Sequence, residues 1–168
     1  IIEAKKIFDL NYNQLEILTH TQSYIHAIVK FTNGLTKILI HDTSMKIPIF
    51  NSIYGESNKI INSNKLNLHI LNNLNLTNVD IERFPVIKII KQLPRRDSLF
   101  ETVLVSANDT LVNLFLNKKI KFTNISMQLL KIVKMKEFII YKSKYPKNIK
   151  EIKELANYVS LKVHSLSI

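Results

Sequence analysis

Residues 25–40, with the sequence IHAIVKFTNGLTKILI, decide how the first part of this chain folds. From Ile25 to Thr32, strongly apolar side chains occupy every second position, which is the pattern of a strand with one apolar face. Asn33-Gly34 follows and leads into a second apolar run, Leu35–Ile40. Asn-Gly between two such runs predicts a β-hairpin with a type I′ turn, which needs positive φ at both central residues.

The sequence before this hairpin predicts a helix and a further strand. Residues 1–8 have helical periodicity but no capping residue in front of them, which indicates a helix that begins upstream and therefore a fragment of a longer protein. Gln14–Thr19 is the candidate for a third strand. The N-terminal quarter is thus expected to run helix, strand and hairpin.

The sequence after the hairpin is less regular. Pro48 can occupy the first turn of a short helix within residues 47–53. Residues 55–80 are rich in Asn and Ser and show no sustained period, so we expect a long connector with little regular structure and a domain boundary.

The remainder of the chain has helical periodicity. Ser98 and Glu101 form a capping-box pattern after Pro94, and apolar residues spaced by four predict a helix near 98–117. The stripe consists of Leu99, Val103, Ala107, Leu111 and Phe115. Thr123 or Asn124 can cap a third helix, with Ile125, Leu129, Ile132 and Val133 inward. Pro146 and Asn148 introduce a fourth, with Ile149, Ile152, Leu155, Ala156 and Val159 on one face. These patterns predict an α+β chain that ends in a small four-helix bundle.

Composition limits the class of protein. The 168 residues are 46% hydrophobic, which is enough for a core in one domain or in pieces of two. There is no cysteine, so disulfide scaffolds, thiolate metal sites and cysteine nucleophiles are excluded. No run approaches the roughly 18 apolar residues that cross a bilayer, and the N-terminus resembles neither a signal nor a transit peptide. The sequence therefore predicts no membrane partner.

The net charge of +11 has two explanations. It can mark a surface that binds nucleic acid, and the best stretches are residues 117–121 and 142–147, where lysines alternate with apolar or aromatic residues. It can also reflect drift in an A+T-rich genome, because Ile, Lys and Asn dominate the chain. Arginine, the usual base reader, occurs only three times. We favour drift and solvated helix ends, and expect no nucleic-acid partner.

Few residues offer chemistry of their own. The two glycines lie 21 positions apart, which excludes a phosphate-binding loop and a dinucleotide fingerprint within the chain. His20, His26, His41 and Asp42 are the candidate metal ligands. On one strand, His20 and His26 would lie about 20 Å apart, too far for one ion, although a turn at residues 21–23 would shorten that distance. We favour the interpretation that these side chains bind no metal and that their polar ends line the edge of a sheet.

The order of motifs along the chain resembles one enzyme family. The segments that carry the resemblance are Ile2–Ala4, Glu16–His26, Phe31–Leu35, Ser44–Ile49, Phe84–Lys88, Leu104–Asp109 and Phe115–Ile125. They are similar to motifs of the 1-deoxy-D-xylulose 5-phosphate reductoisomerases. In the same order, those motifs are I-E-A, E-V-x-x-H-P-Q-S-x-I-H-S, a hairpin, D-M-x-x-P-I, Y-P-x-L-K, L-N-A-A-N-E and F-L-x-x-x-I-x-F-x-x-I. They occur in the same order over nearly the whole chain.

The resemblance implies the C-terminal half of an NADPH-dependent, dimeric enzyme, and its implications are stated here as expectations. Residues 1–54 would end the central catalytic and dimerisation domain, 55–83 would connect, and 84–168 would form the C-terminal four-helix bundle. The family converts 1-deoxy-D-xylulose 5-phosphate to 2-C-methyl-D-erythritol 4-phosphate for non-mevalonate isoprenoid synthesis. It uses NADPH and Mg²⁺ or Mn²⁺, bound mainly by sequence upstream of Ile1. The expected partners are a sugar-phosphate substrate and a second copy in a homodimer, in a bacterial cytoplasm or a plastid stroma.

The resemblance also assigns roles to residues of this chain. His26, His20 and Ser23 would support the substrate pocket, and Met45 would pack toward the nicotinamide, while no residue here would be a catalytic group or a metal ligand. Seven residues depart from the family pattern. They are Thr21 and Thr43 for prolines, Ser44 for aspartate, Gly55-Glu56 for Trp-Pro, Asp97 for glycine and Val105 for asparagine. These departures keep a second hypothesis open: a decayed, non-catalytic basic helical module that binds a partner or nucleic acid.

Overall fold

The computed structural model describes residues 1–55, 57–65 and 67–166, which form two compact units. The helical unit joins Ile1–Glu16 to Asp80–Ile168, and the strand unit is Ile17–Val79. Each unit is described on its own below.

The elements of the described residues follow in chain order. They are α1 (Ile2–Phe8), a 3-10 turn (Tyr12–Gln14), β1 (Leu18–Thr19), β2 (Ile25–Lys30), β3 (Thr36–Ile40), α2 (Lys46–Tyr54), α3 (Leu68–Asn72), β4 (Thr77–Asn78), α4 (Ile87–Ile90), α5 (Leu99–Leu116), α6 (Phe122–Ile132), α7 (Lys136–Ile139), a second 3-10 turn (Ile140–Ser143) and α8 (Ile149–Leu166).

Helix α5 is the centre of the helical unit, where it packs against α6 and α8. Its predicted start is confirmed: the capping box is present, and Ser98 N–H donates to Glu101 Oε2 at 3.5 Å. The predicted stripe is buried except for its last member, Phe115, which is half-buried, while Leu114 takes a core position. The other core residues come mainly from the neighbouring helices: Ile89, Leu93, Leu129, Ile132, Val133, Phe138, Leu155, Val159 and Val163.

The mixed α+β class is confirmed, but the four-helix detail is not. The helical unit has, among the described residues, three helices of 11 to 18 residues, namely α5, α6 and α8. Helices α4 and α7 are single turns of four residues. Helix α6 begins at Phe122, so its N-cap is Lys121 rather than Thr123 or Asn124.

The predicted introduction of the last helix is confirmed. Asn148 Oδ1 accepts a hydrogen bond from Glu151 N–H at 2.9 Å, which satisfies one of the free donors at the start of α8. Leu155 and Val159 are buried and Ile152 packs against the core, as their spacing predicts. The first member of the predicted face, Ile149, is 70% exposed, so its placement was wrong. The expectation that no stretch approaches a membrane span is corrected for α5, which has the length and mean apolar composition of one, although half of its residues are buried inside the unit.

A cluster of charged side chains joins α1 to the start of α5. Lys5 and Lys6 both bind the Asp97 carboxylate, Lys6 at 2.8 Å, and Lys6 Nζ also lies 3.0 Å from Glu101 Oε2. The Tyr12 hydroxyl donates to Glu101. Burial, together with this bond, raises the pKa of Tyr12 above its usual value. These bonds hold the N-terminal helix on the C-terminal part of the chain.

We expect this cluster to make the stability of the helical unit depend on pH in the acid range. The hydrogen bonds from Lys5 and then Lys6 lower the pKa of Asp97 below its usual 3.8. The unfolded chain therefore takes up this proton first, so the stabilisation is complete above about pH 4 and is lost as pH falls below that value. Urea unfolding across pH, with Asp97→Asn as the comparison, measures it. The two proteins should differ at neutral pH and converge in acid; an equal gap at both pH values would contradict the assignment.

The predicted hairpin is present in the strand unit, with a different turn. Strands β2 and β3 pair antiparallel, with Lys30 opposite Thr36. Phe31 N–H donates to the Leu35 carbonyl at 2.8 Å, so the loop has three residues, and among them only Gly34 has positive φ, at 86°. The prediction of a type I′ turn was wrong. That turn has two residues with positive φ, whereas this three-residue loop needs only one left-handed residue.

The burial of this hairpin also differs from the prediction. The sequence predicts one apolar face against a core, yet nearly all side chains of β2 and β3 are exposed within the strand unit. The exposed apolar residues belong to both faces: Ile28, Val29, Phe31, Leu35, Ile38 and Leu39.

The predictions for the third strand and for the connector were right only in part. The predicted strand at Gln14–Thr19 is reduced to β1, because Tyr12–Gln14 forms a 3-10 turn. The connector contains the short helix α3 and the strand β4, which pairs with β1 through Thr19 and Thr77. Glu56, part of one departure from the family pattern, lies outside the described residues. The domain boundaries 1–54, 55–83 and 84–168 stay a prediction, although the two compact units divide the chain at other positions.

Candidate functional site

The candidate site is built around the turn between β1 and β2. His20 Nε2 lies 3.2 Å from the Ile25 amide nitrogen and 2.9 Å from the Ile25 carbonyl oxygen, so the ring bonds to the backbone at the start of β2. Which of the two bonds forms depends on the tautomer of His20. His20 Nδ1 is buried without a hydrogen-bond partner among the described residues. The His20 ring therefore spans the turn at residues 21–23, which the sequence allowed but did not predict.

Ser23 lies at the tip of this turn in an unusual conformation. Its φ is +54°, a left-handed value that few residues other than glycine adopt, and its side chain is exposed. The neighbouring Gln22 Nε2 donates to the Asn73 carbonyl at 3.1 Å, which ties the turn to the end of α3. The turn is therefore fixed from both sides, and the Ser23 hydroxyl is accessible from solvent.

His26 lies at an irregularity of the β2–β3 ladder. Ile25 pairs with Ile40 and Ala27 with Leu39, so two steps on β2 correspond to one step on β3 and His26 is the additional residue. A bulge of this kind redirects the side chain that it carries. The His26 ring stacks on the ring of His41, with the centroids 3.5 Å apart and the planes 5° from parallel.

The segment that carries His41 is held by its own hydrogen bonds. His41 N–H donates to the Tyr24 carbonyl at 3.2 Å, and Nδ1 lies 2.5 Å from the Asp42 carbonyl oxygen. Asp42 Oδ1 accepts from Ser44 N–H at 2.8 Å, and Oδ2 accepts from Asn64 Nδ2 at 3.1 Å. Both carboxylate oxygens of Asp42 are thus used in shaping the loop before α2.

Met45 follows this loop and is the N-cap residue of α2. Its side chain is 66% exposed, so a long apolar thioether faces solvent where most methionines are covered. An exposed methionine can adapt its shape to the flat face of an aromatic ligand.

The four candidate metal ligands do not form a metal site in this arrangement. In residues 1–55, 57–65 and 67–166 there is no group of three or more His, Asp or Glu side chains placed to hold an ion. Parallel stacked rings direct their nitrogens in the ring planes, so His26 and His41 do not converge on a common point.

The structure brings His26 together with His41, a pair that the sequence suggested only as candidate ligands of one metal ion. Counting outward from Asn33-Gly34 would have paired them, because each lies seven positions from the nearer turn residue. The stacked arrangement itself could not be predicted, since it depends on the bulge at His26.

The second lysine-rich stretch contacts aromatic rings of this chain. Lys142 Nζ lies 4.8 Å from the ring centroid of Phe100, and Lys144 Nζ lies 4.9 Å from that of Tyr141. These ammonium groups take part in cation–π contacts within the helical unit. The nucleic-acid hypothesis for this stretch stays a hypothesis.

A family profile and related sequences match this chain. The profile described as the DXP reductoisomerase C-terminal domain matches residues 41–160. A protein of Pelagibacter ubique named 1-deoxy-D-xylulose 5-phosphate reductoisomerase is 61% identical over all 168 residues, which is 43% of its own length. A protein of the same name from Sulfurihydrogenibium is 33% identical over 74% of this chain and 33% of its own length. The chain thus spans less than half of these relatives.

Solved structures share the fold. One, the 1-deoxy-D-xylulose 5-phosphate reductoisomerase of Zymomonas mobilis in complex with NADPH, is 25% identical, with a TM-score of 0.77 over 99% of this chain and 42% of that one. Another, in complex with NADPH, fosmidomycin and magnesium, is 24% identical, with a TM-score of 0.79 over 99% of this chain and 41% of that one.

Proposed function

This chain belongs to the 1-deoxy-D-xylulose 5-phosphate reductoisomerase family, and we propose that it is the C-terminal part of an enzyme with that activity. The enzyme would convert 1-deoxy-D-xylulose 5-phosphate to 2-C-methyl-D-erythritol 4-phosphate with NADPH. The observation that carries the proposal is the 61% identity to a relative of that name over the whole chain. Identity at that level across both compact units supports a working enzyme rather than a decayed copy.

The part played by this chain would be to shape the substrate pocket. His26 presents a ring whose nitrogens have no hydrogen-bond partner among the described residues, so they are available to a hydroxyl or phosphate oxygen of a sugar phosphate. His20 would act indirectly, because its ring already bonds to Ile25 and fixes the turn. Ser23 would offer its exposed hydroxyl from the tip of that turn.

The cofactors would be bound mainly outside this chain. The described residues lack three convergent metal ligands, so we assign none of them to Mg²⁺ or Mn²⁺ and derive no step through the metal. Met45 fits a supporting position for NADPH, since its exposed thioether can pack on a nicotinamide ring. NADPH would supply the hydride, and this chain would help to orient and cover the ring.

The expected partners follow from the same assignment. The enzyme would act on a sugar phosphate and would form a homodimer. The exposed apolar residues on both faces of the β2–β3 hairpin support further contacts, because solvated strands normally keep one polar face. The relatives reported above are bacterial, which supports a bacterial cytoplasm as the compartment.

The activity can be tested directly on the full-length protein. Purified enzyme with Mg²⁺ should oxidise NADPH only when 1-deoxy-D-xylulose 5-phosphate is present, and 2-C-methyl-D-erythritol 4-phosphate should accumulate in equal amount. NADPH consumption that does not depend on this substrate, or no consumption with either metal, would overturn the proposal.

Replacing His26 with alanine in the full-length enzyme should lower kcat/KM at least tenfold. The loss corresponds to about one hydrogen bond to substrate. Mg²⁺ affinity should stay within about threefold of the wild type, because no metal ligand is removed. Steady-state kinetics and a metal titration measure the two quantities. A collapse of metal binding would mean that His26 is a ligand after all.

A further inference from the structure

We propose that His41 is a positioning residue that holds the His26 imidazole in the orientation needed to bind the sugar phosphate. The inference deepens the proposed function and rests on it for its kinetic part. Its physical basis is the face-to-face contact between the two rings, at 3.5 Å and 5°.

His26 needs such support because its surroundings provide little else. The residue lies at the bulge in β2 and its side chain is exposed, so neither a regular ladder nor core packing restricts its rotamers. Among the described residues its ring nitrogens make no hydrogen bond. The remaining constraint on the ring is the flat surface of His41.

Both the backbone and the ring of His41 are held in place. The residue is half-buried, its backbone N–H donates to the Tyr24 carbonyl, and its ring nitrogen Nδ1 bonds to the Asp42 carbonyl. Asp42 is in turn bonded by Ser44 and Asn64. A ring held in this way can fix the orientation of the exposed His26 ring that stacks on it.

The stack also leaves the useful atoms of His26 accessible. One face of the ring is covered, while both nitrogens lie in the ring plane, outside the stacked face, and the residue as a whole is exposed. A face-on contact therefore restricts the ring without competing with substrate for its hydrogen bonds.

The test compares His41→Ala with His41→Phe in the full-length enzyme. Alanine removes the stacking surface and should raise KM for 1-deoxy-D-xylulose 5-phosphate about fivefold to tenfold, with kcat changed less than twofold. Phenylalanine keeps a flat ring and should restore KM to within about threefold of the wild type. Thr36→Ala, an exposed position on the same strand, is the matched control and should change neither quantity.

Two further measurements separate positioning from loss of fold. In the His26→Ala enzyme, adding His41→Ala should cost nothing more, because the two residues act as one unit. With histidine-selective isotope labelling, the ring protons of His26 should shift on His41→Ala and stay near their wild-type values with phenylalanine.

Several outcomes would overturn the inference. They are a fall in kcat with KM unchanged, an effect of phenylalanine as large as that of alanine, or additive losses in the double variant. If the ring-proton signals of His26 did not shift in the His41→Ala variant, that result alone would show that the two rings do not stack. A wild-type enzyme without turnover would instead reject the proposed function, and the signals of His26 would still decide whether the stack exists.

Discussion

Replacing Phe138 with alanine is expected to lower the free energy of unfolding of the helical unit by about 3–5 kcal/mol. Phe138 is 0% exposed although it lies in the four-residue helix α7, and its ring meets that of Tyr158 edge-on, with centroids 6.0 Å apart. The substitution removes the buried ring and leaves a cavity that a core built from long helices refills only in part. Urea unfolding of the 168-residue chain measures the loss.

Phe122→Ala is the matched control for this prediction. Phe122 is 71% exposed at the start of α6, so the same chemical change should cost less than about 1 kcal/mol. A loss for Phe138→Ala as small as that expected for Phe122→Ala would mean that Phe138 does not lie in the core. Helix α7 would then be a surface turn, and the last part of the chain would pack differently.

Replacing Glu101 with alanine should lower the free energy of unfolding by about 2–4 kcal/mol, the second largest effect that we expect. Glu101 is 5% exposed, and its carboxylate accepts from Tyr12, Lys6 and the Ser98 backbone. Its removal leaves the Tyr12 hydroxyl without its acceptor, takes one of the two carboxylates from Lys6, which keeps Asp97, and removes the capping box of α5. The same unfolding measurement applies.

Glu154→Ala provides the comparison for Glu101. Glu154 pairs with Lys150 at 3.9 Å on α8, with the two side chains 67% and 85% exposed. An exposed pair of this kind contributes little, so the variant should stay within about 0.5 kcal/mol of the wild type. Equal losses in the free energy of unfolding for the two substitutions would show that the buried cluster stabilises the fold no more than an exposed ion pair does. Protection of α1 amides from hydrogen exchange should fall in Glu101→Ala alone.

The long helices were predictable because their signals are local. Ser98 and Glu101 lie three positions apart, and the apolar spacing of α5 and α8 repeats within each helix. The pairing of α1 with α5 was not predictable, since an ion pair between Lys5 and Asp97 has no local signature. For the same reason, the short strand β4 could be recognised only once its partner β1 was known.

The hairpin illustrates the limit between local and tertiary signals. Asn33-Gly34 correctly predicted that the chain turns back, because glycine supplies the left-handed residue that a tight loop needs. The loop length and the bulge at His26 depend on how the two strands align over their whole length. The stack of His26 on His41 depends on both, so the most informative contact of the candidate site was also the hardest to predict.

One departure from the family pattern has a clear role in this structure. Asp97 stands where the resemblance places a glycine, and it binds both Lys5 and Lys6. The replacement therefore has partners that compensate for it. The structure offers no comparable account of Val105, which is partly exposed on α5.

The division of the helical unit into two chain segments constrains the order of events during synthesis. Lys5 and Asp97 are 92 positions apart, and the strand unit lies between them. A ribosome adding 5–20 residues per second needs roughly 5 to 20 s to cover that distance. During this interval Lys5 and Lys6 exist without the two carboxylates that bind them, so the charged cluster forms only after Asp97 and Glu101 have been synthesised.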